Sequence, residues 1–255
     1  MRIPAAAVLV MLAAAPGFAM QKSDAQRDKD RQVALDHYQK GRDAMAGERL
    51  EDAVAEFKAA TSIDPLFSLA YFREGQAHMA LKEYAQAEQA FVACRQSYEN
   101  LAGLQLTNTE EAERRRDEEI QELENEIQQI ASGQAKTSAS ANLSQQLQQR
   151  VSELRRNRRK GGNEAAAVPA ELNVSLGSAY FRQGKMDLAE KEWRTAAVAN
   201  PKLGEAHNNL AALYLITQKL DEAEKEVDLA EKAGFHVNPR LKDDIKTARK
   251  SSSAK

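Results

Sequence analysis

Residues 173–201 read NVSLGSAYFRQGKMDLAEKEWRTAAVANP. Leu176, Gly177 and Tyr180 fall on one face at helical spacing, as do Ala189, Trp193 and Ala196. Gly184-Lys185 separates the two runs, and a helix cannot continue comfortably through Pro201. The spacing therefore predicts two short helices folded back on each other. The same pattern recurs 34 residues on, as His207-x-x-Leu210-Ala211-x-x-Tyr214, then Ala223, Val227 and Ala230. Two earlier copies keep the frame. One carries Gly41, Ala53, Phe57, Ala60 and Asp64-Pro65, with Gly47-Glu48 at the reversal; the next carries Tyr71, Gly75, Ala87, Phe91 and Cys94. A fixed period of this length marks a stack of supersecondary units that bury their apolar faces against each other.

These residues closely resemble the tetratricopeptide repeat. The resemblance implies two antiparallel helices per repeat and an all-α, right-handed solenoid of four repeats, with a concave groove lined mainly by the first helix of each pair. The packing residues explain themselves as well. Small residues at Gly41, Gly75, Gly177 and Ala211, and at Ala53, Ala87, Ala189 and Ala223, let paired helices approach, while Phe57, Phe91, Trp193 and Val227 fill the remaining space. Cys94 occupies the small-residue slot of Ala60 and Ala196, so it reads as a buried apolar residue, and Tyr180 belongs to the same packing set.

Composition supports this reading. Of 255 residues, 42% are hydrophobic, 5% aromatic and 29% charged, a mixture rich in helix formers. A net charge of −2 supplies no global field to draw the chain to nucleic acid or anionic lipid. One cysteine excludes an internal disulfide. The chain opens with Arg2, an apolar run from Ile3 to Ala15, and small residues at Gly17 and Ala19, the pattern of a secretory signal peptide cut after Ala19. The expected location is periplasmic or secreted, with no membrane span left after cleavage. Residues 20–32 read as a flexible segment, 33–101 as repeats 1 and 2, and 170–235 as repeats 3 and 4. Within 236–255, Leu241 and Ile245 mark a capping helix before a frayed tail from Ser251.

Between residues 102 and 169 the repeat disappears for two full periods. Thr107 with Glu110 reads as a capping box, and Ile120, Leu123, Ile127 and Ile130 follow at coiled-coil spacing. After a small, polar turn, Leu143, Leu147, Val151 and Leu154 form a second stripe. The segment is expected to be an antiparallel helical hairpin projecting beyond the repeats, with Glu110, Glu111 and Glu113 beside Arg155, Arg156, Arg158 and Arg159. A longer second helix of repeat 2 that merges into the insert remains open at this stage.

No catalytic constellation, phosphate loop or metal-ligand spacing is present, so no enzymatic activity, cofactor or metal is expected. His37, His78, His207 and His236 are scattered and read as helix-packing residues. The basic run at 155–160 reads as a helix C-terminus rather than a nucleic-acid site. What remains is recognition surface. The resemblance places Tyr38, Arg42, Phe72, Arg73, Gln76, Met79, Arg182, Asn208 and Asn209 in the groove, where aromatic anchors and hydrogen-bonding groups suit a peptide or protein ligand. The expected function is that of an exported, non-enzymatic adaptor. The competing expectation is an envelope structural protein that self-associates through the hairpin.

Overall fold

The structure, a computed structural model, describes residues 23–132, 138–159 and 168–253. The leader lies outside the described residues. The repeats form four helix pairs: α1 (Asp24–Ala46) with α2 (Leu50–Ile63), α3 (Ser68–Ala80) with α4 (Tyr84–Thr107), α7 (Ala170–Arg182) with α8 (Met186–Ala199), and α9 (Gly204–Ile216) with α10 (Leu220–Lys232). Between them stand α5 (Thr109–Ala131) and α6 (Ser138–Arg159), and α11 (Pro239–Ser253) closes the stack. No strand occurs among the described residues.

Within each pair, a bulky residue of the second helix fills a notch in the first. A Cβ added at Gly41 would meet Phe57 at 2.6 Å, one at Gly177 would meet Trp193 at 2.6 Å, and Gly75 faces Phe91 in the same way. Repeat 4 makes the opposite exchange: it has Ala211 in place of glycine and the smaller Val227 in place of the aromatic, and both are buried. The contact is thus conserved in volume rather than in residue type.

The reversal inside each repeat uses a left-handed residue at one fixed place. Glu48, Lys82, Gly184 and Gln218 have φ of 58°, 62°, 76° and 59°. Gly47, singled out in the sequence, has φ −87°, and it is the glutamate after it that turns the chain. Only repeat 3 places glycine where that conformation costs least.

The pairs stack without interruption. Helix α4 packs on α7, and Phe91, Cys94 and Tyr98 share a core with Leu172, Leu176 and Ala179. Arg95 reaches across to Glu192 and to Asn173, and Gln183 and Lys185 both donate to Glu88. Repeats 2 and 3 are therefore neighbours in space, and the insert leaves and re-enters the solenoid at one seam. At the far end, Leu241 and Ile245 of α11 cover the core of repeats 3 and 4.

Four boundaries differ from the sequence reading. Helix α1 begins at Asp24, so most of the segment read as flexible is helical. Ser23 caps it by accepting from the Gln26 amide, and long-range ion pairs from Asp28 to Arg114 and from Arg31 to Glu111 hold it in place. Helix α4 runs through residue 101 to Thr107, merging into the insert. The cap of α5 is Asn108, whose side chain accepts from the Glu111 amide at 3.2 Å, while Thr107 donates back into α4. Helix α11 continues to Ser253, past the start of the expected frayed tail.

Candidate partner-binding groove

Helices α5 and α6 pack along the first helices of the pairs, sharing a core with α1 and α3 and bordering α7 and α9 across a cleft. The insert does not project. Ile120, Leu123, Leu147, Val151 and Leu154 are buried in one core with Ala34, Tyr38, Phe57 and Leu69 of the first two repeats. Burying that stripe against an apolar groove removes it from water, which a projecting hairpin achieves only between its own two helices. The charges follow a different plan from the expected one too. Glu111 pairs with Arg31 and Arg115, Glu110 with Arg114, and Arg155 with Glu124. Arg156 is exposed, and the side chains of Arg158 and Arg159 lie outside the described residues.

Three of the expected groove residues in repeats 1 and 2 are engaged by the chain itself. Tyr38 is 1% exposed, stacked against Phe57 and Phe67 with ring centroids 5.8 and 4.9 Å away. Arg42 donates to Gln129 at 2.5 Å and its guanidinium sits 5.9 Å above the Tyr38 ring. Arg73 is buried, ion-paired to Glu126, and donates to Gln76 at 2.8 Å. They are contacts of α5 rather than open surface. Phe72 packs on Phe91, and Met79 is half-buried in the core shared by repeats 2 and 3. In the second pair, outside the part that α6 covers, Arg182 is exposed over the Tyr84 ring, and Asn208 and Asn209 are half-buried and form no side-chain hydrogen bond among the described residues.

The seat of α5 is incompletely filled. A cleft of about 450 Å³ remains between α1, α3 and α5, walled by Leu35, Phe67 and Leu69 on one side and by Glu118 and Glu122 on the other. A second, of about 320 Å³, lies at the far end between Met45, Arg73 and Ile130. The Nε of Arg73 and the Oε2 of Glu122 are buried without a hydrogen-bond partner. Each such group costs about 1–3 kcal/mol.

Residues 38–99 and 174–234 match the family model described as "Tetratricopeptide repeat". Both segments carry the tetratricopeptide-repeat fold. No curated protein matches the chain. Among solved structures, PilW, titled a widely conserved type IV pilus biogenesis factor, is 17% identical over 88% of this chain and 89% of its own, with a TM-score of 0.42. YrrB, titled a tetratricopeptide repeat protein with an unusual peptide-binding site, is 16% identical over 88% of this chain and 95% of its own, with a TM-score of 0.30. The P58(IPK) repeat domain is 12% identical over 89% of this chain and 65% of its own, with a TM-score of 0.30.

One row of groove positions escaped the sequence reading although the repeat frame contains it. Leu35, Leu69, Glu171 and Glu205 occupy the same place in their tetratricopeptide repeats, separated by 34 residues or a multiple of it. The two leucines face α5. Glu171 and Glu205 instead border a cleft of about 260 Å³ under α6, with Gln146 and Arg150. Burial, joined by the neighbouring charge of Glu171 and opposed by a hydrogen bond with Gln146, raises the Glu205 carboxyl above the ordinary 4.5. Burial raises Glu171 likewise, and Glu118 and Glu122 beside α1. Arg150 lies 5.4 Å above Tyr98 and pairs with Glu119, which also accepts from the Tyr98 hydroxyl at 3.0 Å. Arginine and carboxylate thus alternate along the whole contact.

The remaining polar residues of the repeats tie helices together. His37 pairs with Glu56 at 2.7 Å and His207 with Glu226 at 2.6 Å, in each case joining the two helices of one repeat. His78 pairs with Glu83 at the turn. Cys94 is fully buried, its thiol donating to the Ser68 carbonyl at 3.2 Å, and burial pushes its ionisation far up. Asn173, part of a sequon, is buried and accepts from Arg95, so it is no surface acceptor. Among the described residues no group of three or more His, Cys, Asp or Glu is placed to hold a metal, and no helix is long and apolar enough to cross a membrane.

Proposed function

We propose that the chain is an exported, non-enzymatic adaptor that captures a peptide or protein partner on the concave face formed by α7 and α9. The observation that carries this reading is the contrast between the expected groove residues of the first two repeats and those of the last two. Tyr38, Arg42 and Arg73 are packed against α5, whereas Arg182 is exposed and Asn208 and Asn209 are half-buried with no side-chain hydrogen bond among the described residues. Tetratricopeptide repeats offer an extended concave surface to protein partners, and a few anchors there set affinity more than contact area does. The competing role, self-association through the insert, loses its apolar stripe: Ile120, Leu123, Val151 and Leu154 are already buried against repeats 1 and 2.

Affinity capture from the parent envelope extract tests the adaptor reading. A partner retained by the wild-type chain and lost by Arg182→Ala/Asn208→Ala/Asn209→Ala supports it; equal retention by the triple variant overturns the assignment to α7 and α9. Export is tested by intact mass. A mature chain beginning at Met20 supports it, and a chain that keeps Met1 contradicts it.

A further inference from the structure

We infer that the arginine-lined concave face of repeats 1 and 2 is a docking surface for an acidic amphipathic helix of a partner protein, and that α5 is its resident, exchangeable occupant. The inference rests on reading the chain as a groove-binding adaptor and names the ligand class for the half of the groove that is filled.

The chemistry of that ligand is written in α5. Its carboxylates at Glu111, Glu118, Glu122 and Glu126 recur along one face, and they meet Arg31, Arg42 and Arg73 from the concave side. The apolar Ile120 and Leu123 sit between those carboxylates and enter the core beside Tyr38 and Leu69. A helix with carboxylates at those places and aliphatic side chains between them satisfies both demands of the surface, and α5 adds Arg114 and Arg115 against Asp28 and Asp64 at its N-terminal end. Each of the first two repeat pairs also has an interlock of its own, Gly41 with Phe57 and Gly75 with Phe91, beside the core that repeats 1 and 2 share with α5.

The same contact shows why α5 can give way. It leaves the 450 Å³ and 320 Å³ clefts on its two sides, the Arg73 Nε buried without a hydrogen bond, and the Glu122 Oε2 4.0 Å from Arg42, also without one. Unfilled volume and an unsatisfied buried donor both weaken a contact relative to a fully packed one. The tether raises the effective concentration of α5 at the groove, so a competing helix must fill what α5 leaves empty in order to displace it. Charge complementarity then asks the competitor for carboxylates opposite Arg31, Arg42 and Arg73, with cations accepted only at the end where Asp28 and Asp64 meet Arg114 and Arg115 of α5.

The probe is a labelled synthetic peptide with the sequence of residues 109–131, added to the full chain. Three results are expected. The peptide binds the Glu122→Lys/Glu126→Lys chain at least tenfold more tightly than wild type, because the resident helix is weakened while the groove is intact. A peptide with Gln in place of Glu at 111, 118, 122 and 126 binds that chain at least tenfold more weakly than the native peptide. In the unaltered wild-type chain, excess native peptide accelerates amide exchange within 109–131 of the chain but not in α7 to α10, a readout that requires no variant to fold. Equal binding by the Gln peptide, no gain in the Lys variant, or unchanged exchange in wild type would each overturn the inference. Doubling of the mass through exchange of the α5–α6 segment between two chains would also overturn it, by assigning the groove to a second copy. If peptide exchange fails while capture still depends on Arg182, Asn208 and Asn209, this inference falls and the adaptor reading stands; if capture alone fails, the converse holds.

Discussion

Replacing Gly177 with Ala should destabilise the protein by about 1–2 kcal/mol, although alanine is the better helix former. The new Cβ would lie 2.6 Å from Trp193 Nε1 and 2.7 Å from Cδ1, where ordinary contacts begin near 3.5 Å. The ring would have to withdraw by about 1 Å, but it is held by a hydrogen bond to the Val174 carbonyl at 3.1 Å and by Phe181 at 5.5 Å between centroids. A ring held on both sides puts the overpacking in the upper part of the usual range, about 2–3 kcal/mol, against which the alanine returns about 1 kcal/mol of helix propensity. Repeat 4 shows the compensation, since Ala211 there faces Val227. Trp193→Val alone should cost about 3 kcal/mol by leaving a void, whereas the double variant Gly177→Ala/Trp193→Val should fall short of the sum by about 1–2 kcal/mol. Urea unfolding followed by far-UV circular dichroism measures all three. A Gly177→Ala chain as stable as wild type, or strictly additive losses, would refute the volume-exchange argument.

Two further outcomes follow from the turns and the buried carboxylates. Lys82→Gly should stabilise by about 0.5–1 kcal/mol, because Lys82 holds φ 62° where glycine is unstrained; thermal unfolding of the variant checks this, and a lower melting temperature would contradict it. Glu205 is raised above 4.5 in the folded state, so the folded chain keeps that proton longer than the unfolded one and stability falls as pH rises through the window above 4.5. Glu205→Gln should flatten that fall and be more stable than wild type at pH about 7, as read from denaturation midpoints across the window; a steeper fall would contradict the burial argument.

The repeats were legible because their signals are local. A glycine opposite an aromatic one helix later, as at Gly75 and Phe91, needs only the helical period and the 34-residue frame to be read. The seat of α5 was not legible in the same way. Arg31, Arg42 and Arg73 stand far in sequence from Glu111, Glu122 and Glu126, and charged residues on an amphipathic helix read as solvated until the tertiary partner is known. The same reason hid the helical start of α1, where Asp28 and Arg31 are fixed by residues of α5 rather than by an apolar stripe of their own. Glu171 and Glu205 were within reach, because the frame that identifies Asn208 also places them; that α6 lies over them is a tertiary fact the frame does not carry. Asn108 displaced Thr107 as the cap because α4 continues to 107 and leaves only one residue between the two helices.

The claim at the centre of this account is that α5 is seated in the groove of the first two repeats, and the Arg73–Glu126 pair tests it at its most buried contact. A double-mutant cycle of Arg73→Ala and Glu126→Ala, measured by urea denaturation, removes the separate contribution of Gln76 and isolates the term that crosses from α3 to α5. A coupling of about 1–3 kcal/mol is predicted. A coupling near zero, with Glu126→Ala neutral alone, would mean that α5 stands away from the groove and would contradict the account.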